Sequence, residues 1–465
     1  MTALWTLPRL WSAGALILAY AALCIWCAWR HRRQTMAKAQ AREALQVASE
    51  GVPPWIVAYA SQTGEAEQLA WQSAQTLHLA GMPVRVCSLD ELDTVSLAQA
   101  RHVLFVVSTY GEGDPPDNAT EFSRLLSAPP LSLGSMQYAV LALGDRSYEQ
   151  FCGFGRGLDQ WLQASAAHPW MGHLEVDRMD PQTIGQWFQQ LGHQVGASDV
   201  SPWQAPDFSD WRLVARRHLN PHSVGEPVFH LELEPVSGVL PDWQAGDLVQ
   251  IAPPETGLPS HARDYSIASI PEEGRLQLLV RLRRHESGEP GLVSGWLGMQ
   301  ACLGDGVSLR VREHKGFRVA DNSSRPLILI GNGTGIAGLR AHLKARVSQA
   351  GVGVQTAPCW LVFGERQSDV DFHYREEFVS WQQQGVLTRL DAVFSRDHPQ
   401  QPYVQHRLAQ EAVLLREWVD QGAALYVCGS LAGMATGVDE VLREALGSDA
   451  VDTLARQGRY CRDIY

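Results

Sequence analysis

Twice along this 465-residue chain an uncharged apolar run ends in a loop of Gly and hydroxyl residues that opens onto a helical stretch. The first is Trp55–Ala60 (WIVAYA), followed by Ser61-Gln62-Thr63-Gly64. The second is Leu327–Ile330, followed by Gly331-Asn332-Gly333-Thr334-Gly335 and a helical run from Leu339 to Arg346. A strand–Gly turn–helix unit demands a parallel sheet with helices packed on it. It also gathers free N–H groups and helix dipoles at the carboxyl edge of the sheet, where anions bind. Further strands of the first unit are expected at Val84–Ser88, His102–Ser108 and Gln137–Leu143. Between the two units the strands shorten, with Gly and Pro between them: Trp211–Arg217, Val228–Glu234, Asp247–Ile251 and Leu276–Arg283. That pattern predicts an antiparallel barrel.

Leu10–Trp29 carries no charge, and at about 1.5 Å per residue it reaches about 30 Å, the hydrocarbon thickness of a bilayer. Arg30, His31, Arg32 and Arg33 follow it, so the positive-inside bias places the rest of the chain in the cytoplasm. The expectation is a single-pass anchor in the inner membrane, with catalytic domains in the cytoplasm. The predicted order is an anchor (1–30), a stalk (31–52), a first α/β domain (53–195), a linker (196–210), a barrel (211–324) and a last α/β domain (325–465). The net charge of -12 is uneven. Residues 1–49 sum to +5, whereas residues 50–195 hold 16 acids against six Arg and sum to -10. The acidic balance argues against a nucleic-acid partner. The histidines show no metal-ligand spacing, and no metal is expected.

The first loop suits a phosphate and suits an ordinary helix cap equally well. Two later loops at strand ends, Ser108-Thr109-Tyr110-Gly111-Glu112-Gly113 and Leu143-Gly144-Asp145-Arg146-Ser147-Tyr148-Glu149-Gln150-Phe151, each add Gly and one Tyr, enough to sandwich a flat heterocycle. Further on, Arg263 and Tyr265 share one face of the extended Arg263-Asp264-Tyr265-Ser266, and Gly291-Leu292-Val293-Ser294 precedes a helix expected at Gly295-Trp296-Leu297. Ser395, Arg396 and Tyr403 offer a hydroxyl, a guanidinium and a phenol for a phosphate monoester.

Together these strings resemble the diflavin reductases, the family of the NADPH–hemoprotein reductases and the flavoprotein subunit of NADPH-dependent sulfite reductase. The resemblance runs from about Val52 to Tyr465. It implies a flavodoxin-like FMN domain followed by a ferredoxin–NADP reductase module, a barrel FAD domain plus a Rossmann-like NADP domain. The long connecting insert of many relatives is missing, since only 12 residues separate Gln250 from Arg263. By resemblance Ser61, Gln62, Thr63, Gly64 and Ala66 hold the FMN phosphate. Tyr110 and Tyr148 flank its ring, with Thr109, Gly111, Gly113, Leu143, Gly144 and Phe151 around it. Arg263, Tyr265, Ser266 and Gly291 to Ser294 take FAD, shielded by Tyr465. Gly333, Thr334, Gly335, Arg366, Ser395, Arg396, Tyr403, Gln405, Cys428 and Gly429 take NADPH. Ser266, Cys428, Asp463 and Tyr465 are the implied catalytic set, although Cys428 also reads as a buried structural thiol. Ser430 and Gln401 stand where relatives carry an acid and a Lys. The implied function is electron flow from NADPH through FAD and FMN to a protein acceptor with a haem or other metal centre and a basic docking face. The alternatives are the sulfite reductase flavoprotein, a ferric-iron or siderophore reductase, and a non-enzymatic flavin sensor.

Overall fold

The computed structural model describes residues 53–196, 207–254, 262–285, 287–351, 353, 356–397 and 403–465. The expected anchor and stalk lie outside them. Among the described residues no helix is long and apolar enough to cross a membrane. The longest, Ile336–Gly351, carries Arg340, Lys344 and Arg346.

Among the described residues there are three sheets. The first holds β1 (Trp55–Ala60), β2 (Val84–Ser88), β3 (His102–Ser108), β4 (Gln137–Gly144), β5 (His168–Pro169) and β6 (Leu174–Asp177). All pairings are parallel, in the order β2-β1-β3-β4-β5, with β6 also on β4. The interior of β3 and all but the ends of β4 are buried, as strands covered on both faces require. One apolar core lies on each face. Helix Pro181–Val195 shows why such segments start and stop where they do. Asp180 accepts from Thr183 N at 2.8 Å, Pro181 sits in the first turn, and Gly196 ends the helix in the left-handed region.

The second sheet comprises β7 (Ser209–His218), β8 (Val228–Pro235), β9 (Leu248–Ile251), β10 (Arg263–Ser266), β11 (Leu276–Arg281) and β12 (Gly306–Arg312). It is antiparallel, in the order β10-β9-β12-β7-β8-β11. A bridge between Ile267 and Leu278 brings β10 back beside β11 and closes the barrel. Its interior is filled by Trp211, Leu231, Trp243, Val249, Ile267, Leu278 and their neighbours. The third sheet is parallel, in the order β15 (Leu387–Phe394), β14 (Cys359–Glu365), β13 (Leu327–Asn332), β16 (Ala424–Gly429), β17 (Tyr460–Ile464).

One local expectation needs correcting. The helix after Gly291 begins at Leu292 rather than at Gly295, because Gly291 is its cap and Leu292–Gly295 form the first turn. Gly291 to Ser294 are thus the helix end itself rather than an approach to it.

Candidate functional site

A cavity of about 580 Å³ opens where the carboxyl end of the first sheet meets the barrel and the last strand. From the first sheet it is lined by Gln62, Thr63, Thr109, Tyr110, Gly111, Leu143, Gly144, Tyr148 and Phe151. From the barrel come Arg263, Tyr265, Ser266, Gly291, Leu292, Val293 and Ser294, and from the third sheet Thr334, Asp463, Ile464 and Tyr465. Residues from opposite ends of the chain therefore share one chamber.

The loop after β1 is set by hydrogen bonds. Gly64 caps helix Glu65–Leu79 with φ +84°, a conformation that side chains disfavour. Ser61 N donates to Asn118 Oδ1 at 2.9 Å. The Gln62 amide exchanges two 3.0 Å bonds with Asp117 and donates to Arg462 O at 3.2 Å, so it braces the loop. Ser61, Gly64, Ala66 and Gly113 do not line the cavity. Ala66 is wholly buried in the core, and Gly113 packs against Gln150. Ser61 Oγ and Thr109 Oγ1 are buried hydroxyls without a partner.

Beneath the other wall, Ser266 Oγ donates to Asp463 Oδ2 at 2.6 Å, and Cys428 Sγ lies 3.4 Å from the same oxygen. Burial, reinforced by Asp463, pushes the Cys428 thiol well above its ordinary range, so it stays protonated. Tyr465 N donates to Gly429 O at 3.0 Å, and its hydroxyl meets Thr334 Oγ1 at 3.0 Å. A Cβ on Gly335 would fall 2.1 Å from Cys428 O, so this turn tolerates only Gly. Three of the four residues expected to be catalytic thus meet on one carboxylate, and Tyr465 closes over them.

The set expected to take NADPH is more dispersed. Only Thr334 of it lines the cavity. Arg366, Ser395 and Arg396 gather where β14 and β15 end: Ser395 N bonds Glu365 O at 2.9 Å and Arg396 N bonds Arg366 O at 2.7 Å. Exposed Tyr403 caps the next helix. Gln405 does not join them, because its amide turns to Gly433 O at 3.4 Å.

Sequence reasoning missed Arg312 and Arg281. Arg312 is buried, bonds Asp264 of the barrel and Thr63 O (3.2 Å) and forms an ion pair with Glu65 Oε1 at 3.2 Å, tying β12 to the first loop. Burial alone would weaken its charge, but Asp264 and Glu65 more than offset that. Arg281 pairs with Glu365 and lies against Gly333. For Arg281 the available signal was its spacing from Arg283, two residues past the end of β11.

The residues in and around the chamber suit two flavins. The two unpartnered hydroxyls sit at a helix N-terminus and a Gly loop, where a phosphate would satisfy them. Tyr110, Tyr148, Tyr265 and Tyr465 supply ring faces, and Arg263, Arg281 and Arg283 supply cations for a pyrophosphate.

The Flavodoxin family matches residues 57–186, and the family of the oxidoreductase NAD-binding domain matches residues 329–440. Among curated relatives, the sulfite reductase [NADPH] flavoprotein alpha-component of Bacillus subtilis is 26% identical, over 88% of this chain and 89% of its own length. The same component from Vibrio cholerae is 26% identical (90% and 89%), and that from Shewanella oneidensis 27% (88% and 89%). The Bacillus alignment runs over 542 positions, more than the 465 residues here, so that relative carries insertions this chain lacks. The comparisons also correct the expected inner-membrane localisation. The relatives are named as components of sulfite reductase, not as membrane reductases, and no described helix is long and apolar enough to cross a bilayer. The Gly turn beneath the Ser–Asp–Cys cluster, the two family matches and the relatives aligned along most of the chain make it similar to the diflavin reductases, an NADPH-dependent oxidoreductase with FMN, FAD and NADPH as cofactors.

Proposed function

We propose that this chain is the flavoprotein of a sulfite-reductase-type system, delivering electrons from NADPH to a hemoprotein acceptor. One observation carries the inner part of that path. The Tyr110 hydroxyl, on the FMN side, donates to Ile464 O at 2.5 Å and accepts from Ile464 N at 2.8 Å, one residue from Tyr465 on the FAD side. The identity of the acceptor is supported by the alpha-components that align along most of the chain.

When bound, the flavins supply the conversion of a hydride into single electrons. The residues supply position and electrostatics. In this proposal residues 53–195 bind FMN, 211–324 bind FAD and 325–465 bind NADPH. Thr63 and the unpartnered Ser61 and Thr109 hydroxyls hold the FMN phosphate, while Tyr110 and Tyr148 flank the ring. Arg263, Tyr265 and the helix end at Gly291–Ser294 hold FAD. Arg396 and Ser395 take the 2'-phosphate. Ser266 and Asp463 orient the nicotinamide end, Cys428 packs it in neutral form, and Tyr465 yields to admit it.

The acceptor would present basic residues to the acidic first domain. Glu65, Glu67 and Asp117 are already paired with the chain's own cations, whereas Glu112, Asp114 and Glu149 stand exposed on the cavity loops. The test is reconstitution. The purified chain should release one FMN and one FAD and reduce a sulfite reductase hemoprotein subunit with NADPH. A single flavin type would end the two-flavin reading. Two flavins without hemoprotein reduction would overturn the acceptor assignment alone.

A further inference from the structure

His314 is a buried polar side chain near the proposed hydride site, outside the set of residues given a role so far. It follows β12, in the segment that crosses from the barrel to the third sheet. Its ring is 1% exposed, and neither ring nitrogen has a hydrogen-bond partner. The ring stacks on buried Phe317, with centroids 5.8 Å apart and planes 21° apart. Its backbone N–H is fixed on Asp247 Oδ1 at 2.9 Å, and Asp247 is itself clamped by Arg318 through bonds of 2.6 and 2.8 Å. Where it stands, the ring is shut off from water. Leaving a buried donor unmet is costly, which demands an acceptor within reach.

Asp463 Oδ1 lies 4.0 Å from His314 Nδ1. The other oxygen, Oδ2, is the one that takes Ser266 and faces Cys428. The carboxylate thus presents one oxygen to the Ser–Cys pair and the other to the imidazole. Hydrogen bonds of this kind run long before ligands load and tighten afterwards.

We propose that His314 is a positioning residue of the hydride site: its neutral imidazole donates Nδ1–H to Asp463 Oδ1 and fixes the carboxylate in the rotamer that serves Ser266 and the nicotinamide. The inference rests on the function proposed above. The charged groups around the ring are Asp463 on β17, Arg312 on β12, Asp247 before β9 and Asp117 from the first domain, with His342 beyond Phe317. Burial holds the imidazole below its ordinary pKa, and Asp463 opposes this most strongly. The ring is therefore neutral at neutral pH, as a single-proton donor must be.

The test uses the flavin-loaded chain with two substitutions and one titration. His314→Phe keeps an aromatic ring but removes the donor, and should slow flavin reduction by NADPH roughly 10- to 100-fold with FAD content unchanged. His314→Asn restores a donor near the Nδ1 position and should recover most of that rate. In histidine-labelled protein, Asp463→Asn should shift the His314 ring titration to lower pH, a readout independent of turnover. Equal rates in the Phe variant and the unsubstituted chain would overturn the proposal. So would equal losses in the Phe and Asn variants, or a His314 titration indifferent to Asp463. Failure of the unsubstituted chain to be reduced by NADPH would instead strike the function itself.

Discussion

Two interfaces hold this molecule together, and they are built differently. Between the barrel and the third sheet the cores are continuous: Val228, Ala268, Leu279 and Phe317 pack in one cluster with Leu327, Ile336, Leu339 and Tyr374. Buried Arg340 reaches across it, bonding Ala268 O at 2.7 Å and Gln277 Oε1 at 2.8 Å while paired to Glu377. Tyr374 closes on His230 at 2.9 Å. Between the first sheet and the rest, the contacts are mainly polar: Glu65 with Arg312, Glu67 with Lys315, Asp117 with Arg462 and Arg124 with Asp452. Apolar burial is not screened by salt, whereas partly exposed ion pairs are weak and screened. On the proposed function, the difference would separate a fixed body, where hydride transfer must be accurate, from one held by contacts that salt can weaken, as meeting an outside acceptor would require.

The strongest way to break the comparison is Phe317→Ala. It opens a void in the shared core and should cost about 3–5 kcal/mol. Thermal unfolding followed by FAD release should fall sharply, while FMN release stays put. An equal effect on both would mean that the two bodies are not distinct. Next in size is Asp463→Asn, which should slow flavin reduction by about 10²-fold while FAD stays bound, at any salt concentration. A salt-dependent defect would place the hydride cluster under the control of the polar interface. Arg396→Ala removes a charged hydrogen bond and should raise the NADPH KM about tenfold while sparing NADH. Stopped-flow and steady-state rates with both nucleotides check these two.

The same contrast explains what the sequence disclosed. Strands such as HVLFVVS were legible with their ends, because a strand covered on both faces is apolar throughout. The loops were legible because Gly and hydroxyls at a strand end carry local meaning. Strands β5 and β6 escaped notice, one of them only His168–Pro169, because neither is long or apolar enough to stand out. At the site, the sequence named the Ser266, Cys428 and Asp463 set but not His314, whose meaning arises only opposite a residue far along the chain. Arg312 was hidden for the same reason: its three partners come from two separate elements. Gln62 was assigned to a phosphate, although its amide is taken by Asp117. Side-chain amides find partners in space, and spacing along the chain does not report them.

The smallest expected effect sharpens the comparison most. An exposed pair such as Glu67 with Lys315 contributes about 0.2–1 kcal/mol, so Glu67→Lys should loosen docking only modestly. Raising salt weakens the exposed pairs together and the buried Glu65–Arg312 pair least. Near 1 M the screening length falls to about 3 Å, and the first body should leave the other two, seen as a larger radius in small-angle scattering. The acidic loops that dock on Arg312, Lys315 and Arg462 belong to the same domain that would meet a basic acceptor. Salt therefore pulls in two directions, freeing the first body from its own chain while weakening its attraction to the partner. Reduction of a protein acceptor should rise and then fall with ionic strength, whereas reduction of a small uncharged acceptor should lack the fall. Glu67→Lys should move the maximum to lower salt, since less screening is then needed for release. A maximum left in place would show that this contact does not govern docking.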